Sequence, residues 1–230
     1  MKQTILTAAA VACSAILVSA QVQPTPAPMA PAAQPAPTMQ PAPPARPASP
    51  SGSVQTQVGG AYVKDGQRER YQNGKWIEIS YSRPIKRGRD VFGAGADYGK
   101  TLNSGAPVWR AGANVSTRLK TEAPLMIAGK TVPAGEYSLF IELKSPTEWT
   151  LIVSSWAAKK TGNDATPDTL WGSFGYTPDK DVVRAPMTLQ KAALSVDQLT
   201  WAFADMTSDG GKIAIAWDTT LAWVPFTVGK

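Results

Sequence analysis

Residues 54–230 predict an all-β fold, a β-sandwich or jelly roll forming a single domain. Three observations carry this. Apolar and polar residues alternate with a period of two along several stretches. Turn-forming residues separate those stretches at short intervals, as sandwich strands require. Helical patterning is confined to two short segments, around Asp97–Asn103 and Leu189–Ser195.

The elements follow in order. Asn73-Gly74 between Tyr71 and Trp76 is the strongest short hairpin signal, and the stretch Gln57–Trp76 reads as a hairpin carrying Lys64, Arg68, Arg70 and Lys75. Ala128-Gly129-Lys130 turns a shorter pair, and Pro133-Ala134-Gly135 introduces the next strand. In that strand Tyr137, Leu139, Ile141 and Leu143 share one face, with Glu136, Ser138 and Glu142 on the other. Ser145-Pro146-Thr147 joins it to a strand in which Trp149, Leu151 and Val153 alternate with Thr150, Ile152 and Ser154. Asp209-Gly210-Gly211 separates Leu199–Met206 from Lys212–Asp218, and Ala222, Val224, Phe226 and Val228 form a last apolar face. Trp149, Trp217 and Trp223 lie within this alternation and are expected in the core.

Two segments precede the domain. Met1–Ala20 has a positive start, a short apolar run and small residues at Val18-Ser19-Ala20, the pattern of a signal peptide cut after Ala20. Spanning a bilayer takes about 20 apolar residues, so a retained anchor is the weaker reading and no transmembrane helix is expected in the mature chain. Lipidation at Cys13 would cut the apolar run in half and is set aside. The protein is therefore expected to be exported, to the periplasm or the medium. Residues 21–53 hold eleven of the chain's 20 prolines and a single charge, Arg46. Proline fixes φ and removes donors, so this stretch is expected to be a disordered linker.

Composition narrows the chemistry. The 230 residues contain one Cys and no His, which excludes Ser-His-Asp and Cys-His catalysis and zinc or iron–sulfur ligation. No cofactor and no metal is expected. A formal charge of +6 is too small for a nucleic-acid binder. Phe92–Gly99 imitates a dinucleotide fingerprint, but its last Gly falls one residue late and no βαβ unit surrounds it. Asn163-Asp164 with Asp168, and Asp179-Lys180-Asp181, lack the spaced carboxylates of a calcium loop and are read as surface turns.

Ordered motifs run through the domain: Ser80–Pro84, Lys86–Gly93, Tyr98-Gly99, Val108–Asn114, Val132–Phe140, Trp149–Val153, Trp171-Gly172, Asp181–Arg184 and Ala216–Asp218. In these the chain resembles the bacterial exported family known as domain of unknown function 2911, over about residues 76–228. The resemblance implies an envelope or secreted domain and carries no activity with it. One departure is Val115, where the family's segment has Glu after the Asn. The lengthened hairpin at 57–76 is another.

Two groups are candidate sites. Trp109, Arg110 and Asn114 surround Ala111-Gly112-Ala113; the small residues would admit a close ligand, the indole offers a flat face, and Arg and Asn offer directed donors for a sugar or carboxylate. The alternative is a structural corner. Arg83, Lys86, Arg87 and Arg89 form a basic loop suited to an anion, or simply a solvated one with Arg83 or Arg89 paired to Asp90 or Asp97. Trp156 and Trp171 lie near loops and could be exposed for stacking on polysaccharide. The function expected is non-catalytic binding of a glycan, an anionic small molecule or an envelope component. The alternative is a carboxylate- or Tyr/Lys-dependent hydrolase, with Glu78, Tyr81, Asp90 and Asp97 as its residues.

Overall fold

The computed structural model describes residues 48–229, and the segments expected as signal peptide and most of the proline-rich linker lie outside it. In chain order the strands are β1 (Ser51–Val58), β2 (Ala61–Asp65), β3 (Arg68–Gln72), β4 (Lys75–Ser82), β5 (Thr117–Thr121), β6 (Leu125–Ile127) and β7 (Lys130–Val132). There follow β8 (Gly135–Ser145), β9 (Glu148–Ser154), β10 (Ala157–Ala158), β11 (Thr169–Leu170), β12 (Asp181–Pro186), β13 (Thr188–Thr207) and β14 (Gly210–Val228). One short helix, α1 (Lys100–Asn103), lies in the connection between β4 and β5.

Two antiparallel sheets make the body. The larger has the order β1-β4-β5-β8-β9-β12 and the smaller β13-β14-β6-β7. Residues from both sheets form one core cluster. Ile77, Ile79, Leu119, Leu139, Ile141, Leu151 and Val153 come from the first sheet; Trp201, Ile213, Ile215, Val224 and Phe226 come from the second. This is the inward alternation expected of a sandwich.

The turns at Ala128-Gly129, Pro133-Ala134 and Pro146-Thr147 stand where the turn residues place them, whereas the last hairpin turns at Ser208-Asp209, with Thr207 paired to Gly210, so that Gly210 and Gly211 of the expected turn begin β14. Ala128 (φ 48°) and Gly129 (φ 74°) both take the left-handed conformation that a two-residue hairpin loop demands.

Five further expectations are corrected. The hairpin expected at Asn73-Gly74 turns instead at Gly66-Gln67, where Asp65 pairs with Arg68 and Gly66 has φ +62°. Asn73 (φ 60°) and Gly59 (φ 71°) mark a break at which the hairpin β2–β3 leaves the β1–β4 ladder. β1 begins at Ser51, inside the stretch read as linker; Ser51, Gly52 and Ser53 follow the last proline of that stretch and pair with Ser82, Tyr81 and Ser80. Leu189–Ser195 is strand rather than helix, because Leu189, Gln190 and Lys191 find partners in Ala222, Leu221 and Thr220. Local helix preference yields there to long-range pairing. Trp223 faces outward, half-buried beneath Lys212, whose ammonium lies 5.4 Å from the ring. Finally, the face of β8 expected to be polar is covered. Phe140 and Ile152 pack with Val108, Leu170 and Tyr176 in a second cluster beneath the segment 155–180, and buried Ser138 donates its hydroxyl to the Trp156 carbonyl at 2.7 Å.

Candidate functional site

The connection between β4 and β5 contains no strand and carries both groups of candidate residues. Connections this long in compact domains are usually functional. Its two ends are pinned to the sandwich. Ile85 makes an isolated bridge to Gln198 of β13, and Trp109 makes one to Ile141 of β8 with both N–H···O distances at 2.8 Å.

Trp109 is not a free face for a ligand. It is 1% exposed and stacks on Trp217 with ring centroids 5.9 Å apart and planes at 15°. Phe92 and Trp149 meet it edge-on. Three further indoles are tied by hydrogen bonds: Trp149 to the Tyr98 hydroxyl at 2.8 Å, Trp217 to the Asp197 carbonyl at 3.2 Å, and Trp201 to the Ala111 carbonyl at 3.0 Å. Burial raises the Tyr98 phenol above its ordinary value.

Of the small residues after Arg110, Gly112 and Ala113 both border the cleft described below, and Gly112 also packs closely on protein. A Cβ on Gly112 would stand 3.0 Å from the Thr117 hydroxyl and 3.1 Å from the Ser82 carbonyl. Ala111 (φ 51°) and Asn114 (φ 58°) are left-handed, a conformation Asn adopts more readily than most residues. Asn114 contributes its backbone: its carbonyl accepts from Arg110 Nη1 at 3.1 Å.

The basic loop divides. Arg83 lies over Gly52 and donates to the Leu199 carbonyl and the Thr200 hydroxyl, both at 3.4 Å, tying the edge of the large sheet to β13. Lys86 forms a half-buried ion pair with Asp218, and its hydrogen bond holds the Asp218 carboxyl below the usual carboxylate range. Arg89 braces the turn by donating to the Lys86 carbonyl at 2.9 Å and the Ile85 carbonyl at 2.6 Å. The Arg87 N–H is held by the Asp197 carboxylate at 2.9 Å, which leaves its guanidinium exposed. Asp90 accepts from the N–H groups of Phe92 and Gly93, and Asp97 pairs with Lys100, so neither neutralises the arginines.

What the tertiary structure brings together is a cleft of about 490 Å³. Arg87, Arg89 and Arg110 all line it. The stacked Trp109 and Trp217, though almost wholly buried, are among its lining residues, with Leu102 of α1 and Pro84 as further apolar members and Thr101 and Ser104 supplying hydroxyls. Arg110 is half-buried, and burial pulls its guanidinium below its ordinary value. Among the described residues it has no carboxylate partner, only the Asn114 carbonyl. A buried cation lacking a counter-ion carries an uncompensated desolvation cost that a bound anion would offset. The two candidate groups thus contribute to one cleft through Arg87, Arg89, Trp109 and Arg110, while Arg83, Lys86 and Asn114 hold its frame. Trp217 was legible only as a core residue, and Leu102 only as part of a short helical stretch.

Among the described residues no carboxylate, lysine or tyrosine lines the cleft. Of the hydrolase candidates, the buried Tyr81 hydroxyl accepts the Trp201 N–H at 3.1 Å, and Glu78 accepts the Ser80 hydroxyl at 3.0 Å. Among the described residues no group of three or more acidic or cysteine side chains could hold a metal, and no helix is long and apolar enough to cross a membrane. Asp164 does form a turn, accepting from the Thr166 hydroxyl and from the backbone N–H groups of Lys160 and Thr166, which brings its carboxyl down to about 2. Asp181 is not at the surface as expected: its side chain is 6% exposed and bonds to Tyr176 and Arg184. Trp156 and Trp171 are half-buried rather than displayed; the Trp156 indole donates to the Thr177 carbonyl and lies under Lys180.

A sequence model of the family described as "Protein of unknown function (DUF2911)" matches residues 64–226, beginning upstream of the resemblance read from the motifs. No curated protein and no solved structure matches the chain.

Proposed function

The chain belongs to the DUF2911 family of proteins of unknown function, and we propose that it is an exported, non-catalytic binding domain whose cleft takes a small ligand bearing a carboxylate, phosphate or sulfate group. One observation carries the reading: half-buried Arg110 lines a cleft with Arg87 and Arg89 and has no acidic partner among the described residues. Guanidinium groups suit such oxyanions because their fixed N–H forks match two oxygens at once. The volume of about 490 Å³, with apolar lining residues and the hydroxyls of Thr101 and Ser104, leaves room for a body attached to the anionic group, such as an acidic sugar. That no carboxylate, lysine or tyrosine among the described residues lines the cleft favours binding over acid–base chemistry.

The test is thermal unfolding at fixed ionic strength with phosphate, sulfate, glucuronate, glucose or chloride. A saturating ligand at about 100 times its Kd stabilises by roughly 2.7 kcal/mol. At least one oxyanion should raise the melting temperature above the chloride control, and Arg110→Gln should abolish that rise. If no oxyanion exceeds chloride, the reading fails. Export rests on the pattern of Met1–Ala20; intact mass of protein recovered from outside the cytoplasm should give Gln21 as the first residue, and retention of Met1 would refute it.

A further inference from the structure

We infer that the groove between the β2–β3 hairpin and the β13–β14 turn is a second binding site, for a neutral saccharide. It is independent of the arginine cleft. The groove measures about 410 Å³ and is walled by Tyr62, Tyr71 and Trp76, with Thr56, Gln57 and Ser208 among its polar members. Among the described residues none of its lining side chains is charged.

The aromatic wall is built into the backbone. The Tyr71 ring lies over two glycines: a Cβ on Gly60 would stand 2.7 Å from the ring and one on Gly74 2.5 Å. The Tyr71 hydroxyl accepts the Gly60 N–H at 2.9 Å, so ring and bend hold each other. Tyr62 meets Tyr71 edge-to-face at 5.2 Å. The opposite wall is tied to the same bend, because the Gly59 N–H donates to the Ser208 carbonyl at 2.8 Å.

In a molecule that buries most of its large apolar side chains, Tyr62 is 72% exposed and Trp76 46%. Rings left open to solvent around the anchored Tyr71, with hydroxyls and an amide beside them, match a sugar. Its C–H faces lie on the rings, and its hydroxyls both donate to and accept from Thr, Ser and Gln. A charged ligand would lose water and gain no counter-charge. A proline-rich peptide also suits aromatic grooves, but its prolines offer carbonyl acceptors and no N–H, so the acceptors of this groove would go unused.

The test is a titration of the full chain, followed by the indole N–H signal of Trp76 in nitrogen–proton correlation spectra and assigned with Trp76→Phe. The probes are cellotetraose, tetra-N-acetylchitotetraose and decaproline. At least one saccharide should shift the signal saturably. Tyr62→Ala, at an exposed position, should weaken that binding about tenfold, the loss of one aromatic contact. Arg110→Gln should leave it unchanged, which separates this site from the cleft. The inference is overturned if neither sugar moves the signal, if Tyr62→Ala binds as tightly as the parent, or if decaproline alone produces the shift.

Discussion

Arg110 lies across Gly172: a Cβ on Gly172 would stand 2.5 Å from Arg110 Nη1 and 3.0 Å from its Cδ. The glycine also has φ +64°. Two residues far apart in sequence thus fix the position of the cation that the cleft turns on.

Gly172→Ala should therefore act twice. The left-handed backbone alone costs roughly 1–2 kcal/mol for an L-residue. Gly66 provides the control, since its φ is +62° with no atom within 4 Å of its would-be Cβ. Gly66→Ala should show the backbone cost alone in a urea melt. Gly172→Ala should lose more and also lose the oxyanion-induced rise in melting temperature. Equal losses, with the rise intact, would mean that the contact does not position Arg110.

Asn114 should behave as a turn residue. With φ 58° and a carbonyl that holds Arg110, its backbone matters more than its amide. Asn114→Gly should be close to neutral in stability and preserve anion binding. Asn114→Ala should cost about 1 kcal/mol for the same left-handed strain. An Asn114→Gly variant that folds normally and fails to bind would restore the amide to the site.

The Lys86–Asp218 pair should appear in the pH dependence of stability. Lys86 and Asp218 side chains are 19% and 21% exposed, so solvent screens them only partly. Asp218 titrates below its ordinary value in the folded protein. As pH falls through about 4, the unfolded chain takes up that proton first. The stabilisation is complete above that pH and is lost as pH drops toward the folded value. Lys86→Met should reduce stability at neutral pH by about 1–3 kcal/mol. It should also flatten the decline on the acid side, measured by urea melts between pH 7 and pH 3.

Truncation should find the true edge of the domain. Ser51–Ser53 pair with Ser80–Ser82, and the Pro50 carbonyl accepts the Arg83 N–H at 2.8 Å. A chain beginning at Val54 removes those partners and Gly52 beneath Arg83. It should be less stable than one beginning at Ala48 by about 1–3 kcal/mol, a few net hydrogen bonds. Equal melting temperatures would show that the first half of β1 contributes nothing.

Strand patterning was legible because each alternating face is a local property. Leu139, Ile141 and Leu143 declare their shared face within a single strand, and Ala128-Gly129 declares its turn within two residues. Where two local signals competed, only pairing decided between them. Asn73-Gly74 and Gly66-Gln67 are both plausible turns, and the ladder of β2 with β3 chose the second. Leu189–Ser195 had helix-compatible residues, and β14 drew them into a strand.

By itself the sequence determined the fold class, the order of the motifs and the family, and it left carboxylates, lysine, arginine and tyrosine as the side chains with chemistry to offer. It did not determine which cations are free. Lys86 is neutralised by Asp218 and Arg83 donates to Leu199 and Thr200, partners more than a hundred residues away, while Arg89 reaches the cleft with two of its N–H groups already given to the Lys86 and Ile85 carbonyls. Arg87, Arg89 and Arg110 share a cleft because Ile85 is bridged to β13 and Trp109 to β8, which folds the β4–β5 connection back on itself. Hydrophobic periodicity encodes which side of a strand faces inward; it carries no information on which distant groups satisfy a charge. That assignment belongs to the tertiary structure alone, because burial and hydrogen bonding are settled only when the sheets have packed.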